Sequence, residues 1–450
     1  MSKWRKIYNW WPEALLAIVI LLFYLPCLSF PVMEGWDDQL HILRNQHLTC
    51  SSNNFLYWLR TPIIGIYMPL TMWSYMLNYA WGGLAPEGYH LVNIVFHILT
   101  VIAAYRCFRY FGIREVVAVF FLLLFALHPQ RVESVVWLSE RKDVMCAAFY
   151  LLALNIWLRH REQRWGRAAA WLVFVAALLC KPMAISLPAV FVCVELWQRR
   201  TWRLPPGFFL RLVPYAAAAL VIGIVTVWVQ VKKKKNFPDP WRQVGVILHN
   251  LLWYARTTFA PLGLRPIYPR IVFTAGLVAV MAVSCASLLV GLWLLIRRME
   301  RTFVMWTVLP MVGALLVIIA PVIGIFQLGT IDYADRYNYL PSLVIWLAAA
   351  GTWQYGATHL PRLWRLSART LGMGYLLLLA LVARSSFHIW ENYYTLLQAA
   401  CSDRPANYIA IASLGLFEED RGNFARLPEL AEMLMTDLPP GADDSYRTTV

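Results

Sequence analysis

Apolar runs long enough to cross a bilayer recur along nearly the whole chain, and they leave few folds open to it. Of its 450 residues, 60% are hydrophobic and only 14% charged, whereas a soluble domain carries about a quarter charged residues. A lipid core satisfies no backbone polar group, so spanning segments must be helices or a closed barrel. Runs of this length point to helices. The expected fold class is therefore an all-α polytopic membrane protein. Crossings are expected near 11–30, 88–108, 115–128, 143–158, 168–180, 183–197, 208–230, 271–296, 302–326, 339–355 and 371–387. The first is too long, and its flanks too bulky, for a cleaved signal peptide, so it is read as retained.

A net charge of +15 would suit a nucleic-acid partner if it were spread over one surface. Instead the positive charges cluster in short loops: Lys3, Arg5 and Lys6; Arg106, Arg109 and Arg114; Arg159, Arg161, Arg164 and Arg167. Further clusters are Arg199, Arg200 and Arg203; Arg297, Arg298 and Arg301; Arg362, Arg365 and Arg369. These are positive-inside signals, not a nucleic-acid footprint. The stretch 244–261 is apolar but holds His249, Asn250, Arg256 and Pro261. If it lies along or dips into the outer face, every one of these clusters falls inside. The expected topology then has eleven crossings, with the N-terminus cytoplasmic and the C-terminus outside. Outer segments are 31–87, 129–142, the region around Lys181, 231–270, 327–338 and everything after 388. Among the eight cysteines no metal or redox spacing occurs, and Cys50 and Cys401 lack spacing that would support a disulfide.

Polar residues at a bilayer edge need a reason to be there. The sharpest case is Trp36-Asp37-Asp38-Gln39-Leu40-His41, directly after the first span. Helical spacing would put Asp37 and Asp38 on the side of His41, with Asn45 a turn further. An acidic helix start would explain one aspartate as a cap but not both. Downstream, Tyr67, Thr71, Ser74 and Asn78 form a polar stripe opposite Leu70, Trp73 and Leu77, as in an amphipathic helix lying in the membrane plane. His90, Asn93 and His97 make one polar face of the second span, equally suited to a ligand or to a neighbouring helix. His128, Glu133, Trp137 and Arg141 mark the next outer loop, with the last three at four-residue steps on one helical face. An ion-pair network or a sugar or phosphate site would each account for it. Lys181 is either a snorkelling residue or a point-charge phosphate ligand. The run Lys232–Lys235 breaks the positive-inside trend, as a solvated loop or an anionic-lipid contact would. Finally, Asp335-Arg336-Tyr337 leads into the tenth span, and Arg336 presents a planar fork suited to phosphate.

These segments, in this order, resemble the C-type (GT-C) membrane glycosyltransferases. The nearest resemblance is to the transmembrane O-mannosyltransferase family that modifies cadherins, and to its bacterial protein-glycosylating homologues. It is carried by Asp37-Asp38 through Asn45, Tyr67-Met68-Pro69-Leu70, Tyr89-His90-Leu91-Val92-Asn93, and Leu127-His128-Pro129 with Glu133. It continues through Arg141 and Asp143, Cys180-Lys181, Ala334-Asp335-Arg336-Tyr337 and the Trp390-to-Asn407 segment. The chain departs from the family at Met68, where arginine is usual, and at Pro182, where glutamate is usual.

The resemblance implies a GT-C catalytic domain over 1–387, its first outer loop at 31–87 holding the acidic motif, and a short helical tail at 388–450. It implies an inverting glycosyltransferase of a bacterial inner membrane, its active site periplasmic, moving sugar from a polyprenyl-phosphate donor to a Ser/Thr hydroxyl of an exported protein such as a pilin. Asp37 or Asp38 would serve as base, Arg336, Lys181, Arg141 and Tyr337 would handle the donor phosphate, and His41, Tyr67, His90, Asn93, His128, Glu133 and Asp335 would complete the site. No cofactor is required, although the carboxylate pair could hold a divalent metal. A lipid acceptor, such as a lipopolysaccharide component, is the alternative within the same fold. A sugar-lipid transporter or flippase ranks last, because inverted repeats and mid-span charges are missing.

Overall fold

The computed structural model describes residues 10–231, 239–269, 271, 273–325, 331–402 and 407–437. Lys3, Arg5, Lys6 and the Lys232–Lys235 run lie outside these residues, as does the end of the tail. Among the described residues the chain is helical throughout, with no strand beyond one isolated bridge between Ile63 and Ile66. All eleven expected crossings fall on helices. Five helical stretches are long and apolar enough to span a bilayer: Trp11–Ser29, Pro86–Tyr110, Pro206–Val231, Arg301–Ile319 and Arg362–Trp390. The stretch around 250 is also a helix, Pro240–Phe259, but it is not among these.

Local chemistry sets where the helices begin. Pro69–Gly82, Pro86–Tyr110, Pro129–Val136, Pro206–Val231 and Pro240–Phe259 all open on proline. Its fixed φ suits the first helical position, and its missing N–H would have had no partner there. Between helices the glue is polar, as expected where lipid offers no hydrophobic drive to associate. Asn155 Nδ2 donates to the Ala103 carbonyl at 2.9 Å, and the Thr100 hydroxyl reaches the Val144 carbonyl at 3.2 Å. His97 Nδ1 and the Tyr339 hydroxyl meet at 2.5 Å, joining helices 242 residues apart in sequence.

The chain bends sharply where the site is built. Helix Glu115–Ala126 and helix Pro129–Val136 meet at 67°. Trp137 is extended, a short 3-10 turn covers Leu138–Glu140, and a new helix runs Arg141–His160. Glu133, Trp137 and Arg141 therefore do not share one helical face, because the helix has ended at Trp137. The stretch 67–78 falls largely on one helix, with a direction to its two stripes that the sequence left open. Helix Pro69–Gly82 exists, but its polar stripe turns inward: Thr71 and Asn78 are buried, while Leu77 is 61% exposed.

The tail packs on the loop that follows the first span. A Cβ placed on Gly35 would overlap the Tyr393 ring, so glycine is what admits this contact. Arg421 and Glu34 add a surface pair at 3.6 Å. Gly35→Val should therefore push the tail off, costing about 1–3 kcal/mol as overpacking does. Limited trypsin digestion checks this: cleavage after Arg421 and Arg426 should speed up, while cleavage elsewhere keeps its rate.

Candidate active site

The acidic motif opens on a strained residue. Trp36 has φ +58°, a conformation that bulky residues rarely adopt and that surrounding packing must hold. That packing is aromatic: Trp36 lies 5.1 Å from Trp137 between ring centres, and Trp137 stacks on Trp390 at 5.6 Å. The turn separates the two aspartates. Asp38 is buried and accepts from the Ser139 backbone N–H at 2.9 Å and from the Ser139 hydroxyl. With the hydroxyl proton so committed, His41 Nδ1, 2.9 Å from the same Oγ, must be the donor. His41 is then the Nδ1–H tautomer. Burial pushes its pKa down to about 3 and pushes that of Asp38 up to about 6.

Asp37 does not join this group. It is half-buried, and its carboxylate makes no hydrogen bond among the described residues. Burial raises its pKa, Glu140 raises it further, and Lys142 and Arg336 act the other way. The four-residue face expected from helical spacing thus divides. Asp38 and His41 meet at Ser139, Asn45 donates to the His41 carbonyl at 2.9 Å, and Asp37 stands apart near the charged cluster. A π-turn over Gln39–Leu43 and the 100° step between neighbouring helical residues account for the division.

The cluster is a buried chain of ion pairs. Arg336 reaches Glu133 through its guanidinium and its backbone N–H, the latter at 2.9 Å, and reaches Glu140 at 3.2 Å. Glu140 also holds Lys142 at 2.8 Å, and Lys181 pairs with Asp143. Tyr337 bridges the two halves, its ring 5.2 Å from the Arg336 guanidinium and 5.6 Å from the Lys181 ammonium. Burial alone would raise the Glu140 pKa, but Lys142, Arg336 and Lys181 together hold it well below the usual carboxylate range. Asp335 lies at the edge, accepting from the Tyr268 hydroxyl at 2.9 Å, and burial pushes its pKa up to about 7.

Several expected site residues are tied into the scaffold. Arg141 is fully buried and, among the described residues, forms no ion pair with a carboxylate. Its guanidinium donates to Asn93 Oδ1 (2.9 Å), Asn78 Oδ1 (2.6 Å), Ser74 Oγ (3.2 Å) and the Tyr89 carbonyl (2.9 Å), over the face of Tyr75 at 4.4 Å. The inward stripe of Pro69–Gly82 is its cradle. Asn93 also donates to the Val135 and Trp137 carbonyls, each at 3.3 Å, which fixes the bend. His90 Nε2 lies 3.2 Å from the Phe30 carbonyl, His128 Nδ1 caps its helix from the Gln130 N–H, and Tyr67 donates to the Leu59 carbonyl. Glu140 and Lys142, not singled out from sequence, are central to the cluster. Their signal was two opposite charges two residues apart beside a bilayer boundary, but helical spacing kept them off the face under scrutiny.

Cutting Arg141 to alanine leaves four neutral acceptors, three of them on buried residues, without their shared donor. A buried acceptor left unsatisfied costs about 1–3 kcal/mol. Thermal unfolding of the purified full chain in detergent should show a large fall for Arg141→Ala. Arg141→Lys should recover little of it, because a point charge cannot fork to four oxygens.

No family model matches the chain. Similarity to curated proteins is nonetheless consistent in kind. A Drosophila melanogaster protein O-mannosyl-transferase is 34% identical over 170 residues, 35% of this chain and 19% of the relative. A Homo sapiens protein O-mannosyl-transferase is 28% identical over 173 residues, covering the same shares, 35% and 19%. A Caenorhabditis elegans protein O-mannosyl-transferase is 23% identical over 376 residues, 79% of this chain and 51% of the relative. The chain thus spans about a fifth of the first two relatives and about half of the third. Among solved structures, ArnT from Cupriavidus metallidurans bound to undecaprenyl phosphate aligns over 94% of this chain and 74% of its own, at TM-score 0.44 and 16% identity. In sequence, then, the chain is similar to the transmembrane protein O-mannosyl-transferases, the resemblance its ordered motifs carry.

Proposed function

We propose that the chain is an inverting glycosyltransferase of the GT-C arrangement, with a membrane catalytic unit over 1–387 and an outer tail after 388. It moves a sugar from a polyprenyl-phosphate donor to a Ser/Thr hydroxyl of an exported protein, on the outer, periplasmic face of a bacterial inner membrane. One observation carries the reading: Asp37, an aspartate without a hydrogen-bond partner among the described residues, stands beside a buried cluster of Lys142, Arg336 and Lys181. The names of the relatives support the reaction class, and the clustering of basic residues in short loops supports the orientation through the positive-inside rule.

The chemistry is a direct displacement at the anomeric carbon. The acceptor oxygen forms a bond to that carbon as the bond to the lipid phosphate breaks. The hydroxyl proton goes to Asp37, and the leaving phosphate keeps its electron pair. A base is needed on the acceptor side and positive charge on the leaving side. Asp37 suits the first role because nothing else claims its oxygens. Asp38 holds the turn through Ser139 instead. Arg336 and Lys181, flanking Tyr337, suit the second role, with Lys142 added to the set. Arg141 acts by position, holding Asn93 and the bend that carries Glu140 and Lys142. No step calls for a metal ion, since side chains can neutralise a single phosphate.

Asp37→Asn should lower sugar transfer by about 10²–10⁴-fold, the span of lost general-base catalysis, with thermal stability unchanged. Asp38→Asn should act through the turn, lowering stability along with activity. A measured transfer rate for Asp37→Asn near that of the unaltered chain would sink the mechanism. The base must be deprotonated to work, and burial raises the pKa of Asp37. Activity should therefore fall with acidification at a pH above the ordinary aspartate value of about 3.9, and the rate–pH curve of the unaltered chain reads it directly.

A further inference from the structure

Beside the acidic motif, on its tail side, lies a cavity of about 280 Å³. Five of its lining residues are aromatic (Trp36, Tyr268, Tyr333, Tyr393, Tyr408), and the walls come from the loop after the first span, the 267–269 and 331–333 segments and the tail. Asp332 is the one charged residue lining it. That side chain is buried, and although Arg242 pairs with its Oδ2, its Oδ1 has no partner. A buried acceptor oxygen without a donor is costly, and a ligand N–H or O–H would satisfy it. The tail is pinned over the cavity: Asn407 donates to the Tyr268 carbonyl at 2.7 Å, and Tyr393 packs on Gly35.

Position and chemistry restrict the occupant. The Trp36 ring that lines the cavity packs on Trp137, and Trp137 carries Arg336 at 5.5 Å and Lys142 at 5.6 Å. The Trp36–Trp137 contact therefore links the cavity wall to the cations, with Asp37 following Trp36 in the chain. In-line displacement needs acceptor and leaving phosphate on opposite sides. A lining acid disfavours a phosphate, and the volume falls just below the small end of ligand pockets, about 300–1,000 Å³, too little for a polyprenyl chain. Tyrosine and tryptophan walls with asparagine and serine between them are how proteins contact polypeptide at low entropic cost.

Resting on the proposed function, we propose that this cavity is the acceptor subsite: it takes the residues flanking the acceptor hydroxyl in an extended polypeptide segment, whose N–H or O–H meets Asp332. The tail is then part of acceptor recognition.

Ser413→Trp and Ile409→Trp fill the cavity from the tail, away from Asp37 and the cations. The full chain, unaltered or varied, is returned to a host lacking it, and exported proteins are read by intact mass for added sugar. The purified chain is titrated with undecaprenyl phosphate, which also reports that it is folded. Each variant should lower sugar occupancy at least tenfold while undecaprenyl phosphate affinity stays within twofold. If a variant melts early, Ser413→Cys in a Cys50→Ser background is filled after folding with a maleimide and read the same way. Unchanged occupancy, or a parallel loss of undecaprenyl phosphate affinity by a folded variant, overturns the subsite. Sugar on a lipid and on no protein in the unaltered host overturns its polypeptide occupant. If Asp37→Asn still transfers sugar, the proposed function fails; if it does not and the filled variants still do, the subsite alone fails.

Discussion

Arg336 joins two segments some two hundred residues apart, and the geometry of the site depends on that junction. Its backbone N–H and guanidinium are both held by Glu133, and Glu140 takes a further guanidinium N–H. Two carboxylates on one buried arginine are stable only if each has a further partner or a proton, since an isolated buried charge costs several kcal/mol. Glu140 finds its second partner in Lys142, burial raises the pKa of Glu133 toward its protonated form, and alongside them Asp143 pairs with Lys181. The result is a row of alternating charges at one end of the helices. Counted together, Lys142, Lys181 and Arg336 face Asp37, Glu133, Glu140 and Asp143. Every member but Asp37 has a close partner in that row, and the unpaired member is the one suited to take a proton.

A second arginine does a different job under the same rule. Arg141 has no carboxylate and is neutralised by dipoles, with four oxygens and an aromatic face around it. Those oxygens come from Pro69–Gly82 and Pro86–Tyr110, so one guanidinium locks three helices and the bend after Trp137. Helix Pro69–Gly82 accordingly shows its apolar side away from the protein, with Leu77 and Trp81 exposed. That is the polarity expected of a helix whose surroundings are lipid and whose interior is ionic.

The fold was largely legible in the sequence because its signal is composition over long windows. Apolar length marks a helix whatever it packs against, and all eleven stretches are helical. The site was legible in its parts and not in its pairings. Asp37, Glu133, Lys181 and Arg336 stood out as charges at span ends. Glu140 and Lys142 did not, because the helical periodicity used to read 129–142 stops at Trp137, where the backbone is extended. Arg141 resembled a phosphate ligand, since nothing in its own segment shows that Ser74, Asn78 and Asn93 converge on it from elsewhere. Likewise the separation of Asp37 from Asp38 follows from Ser139, about a hundred residues downstream.

The central claim is that the Arg336, Lys142 and Lys181 cluster receives the donor phosphate while Asp37 faces the sugar. An experimental structure of the full chain with a polyprenyl-phosphate sugar bound tests this most directly. The account predicts phosphate oxygens within hydrogen-bond distance of Arg336 and of at least one of the two lysines, with an Asp37 oxygen nearer the anomeric carbon than any oxygen of Asp38. A phosphate seated away from all three cations, with their ion pairs to Glu133, Glu140 and Asp143 unchanged, would contradict it.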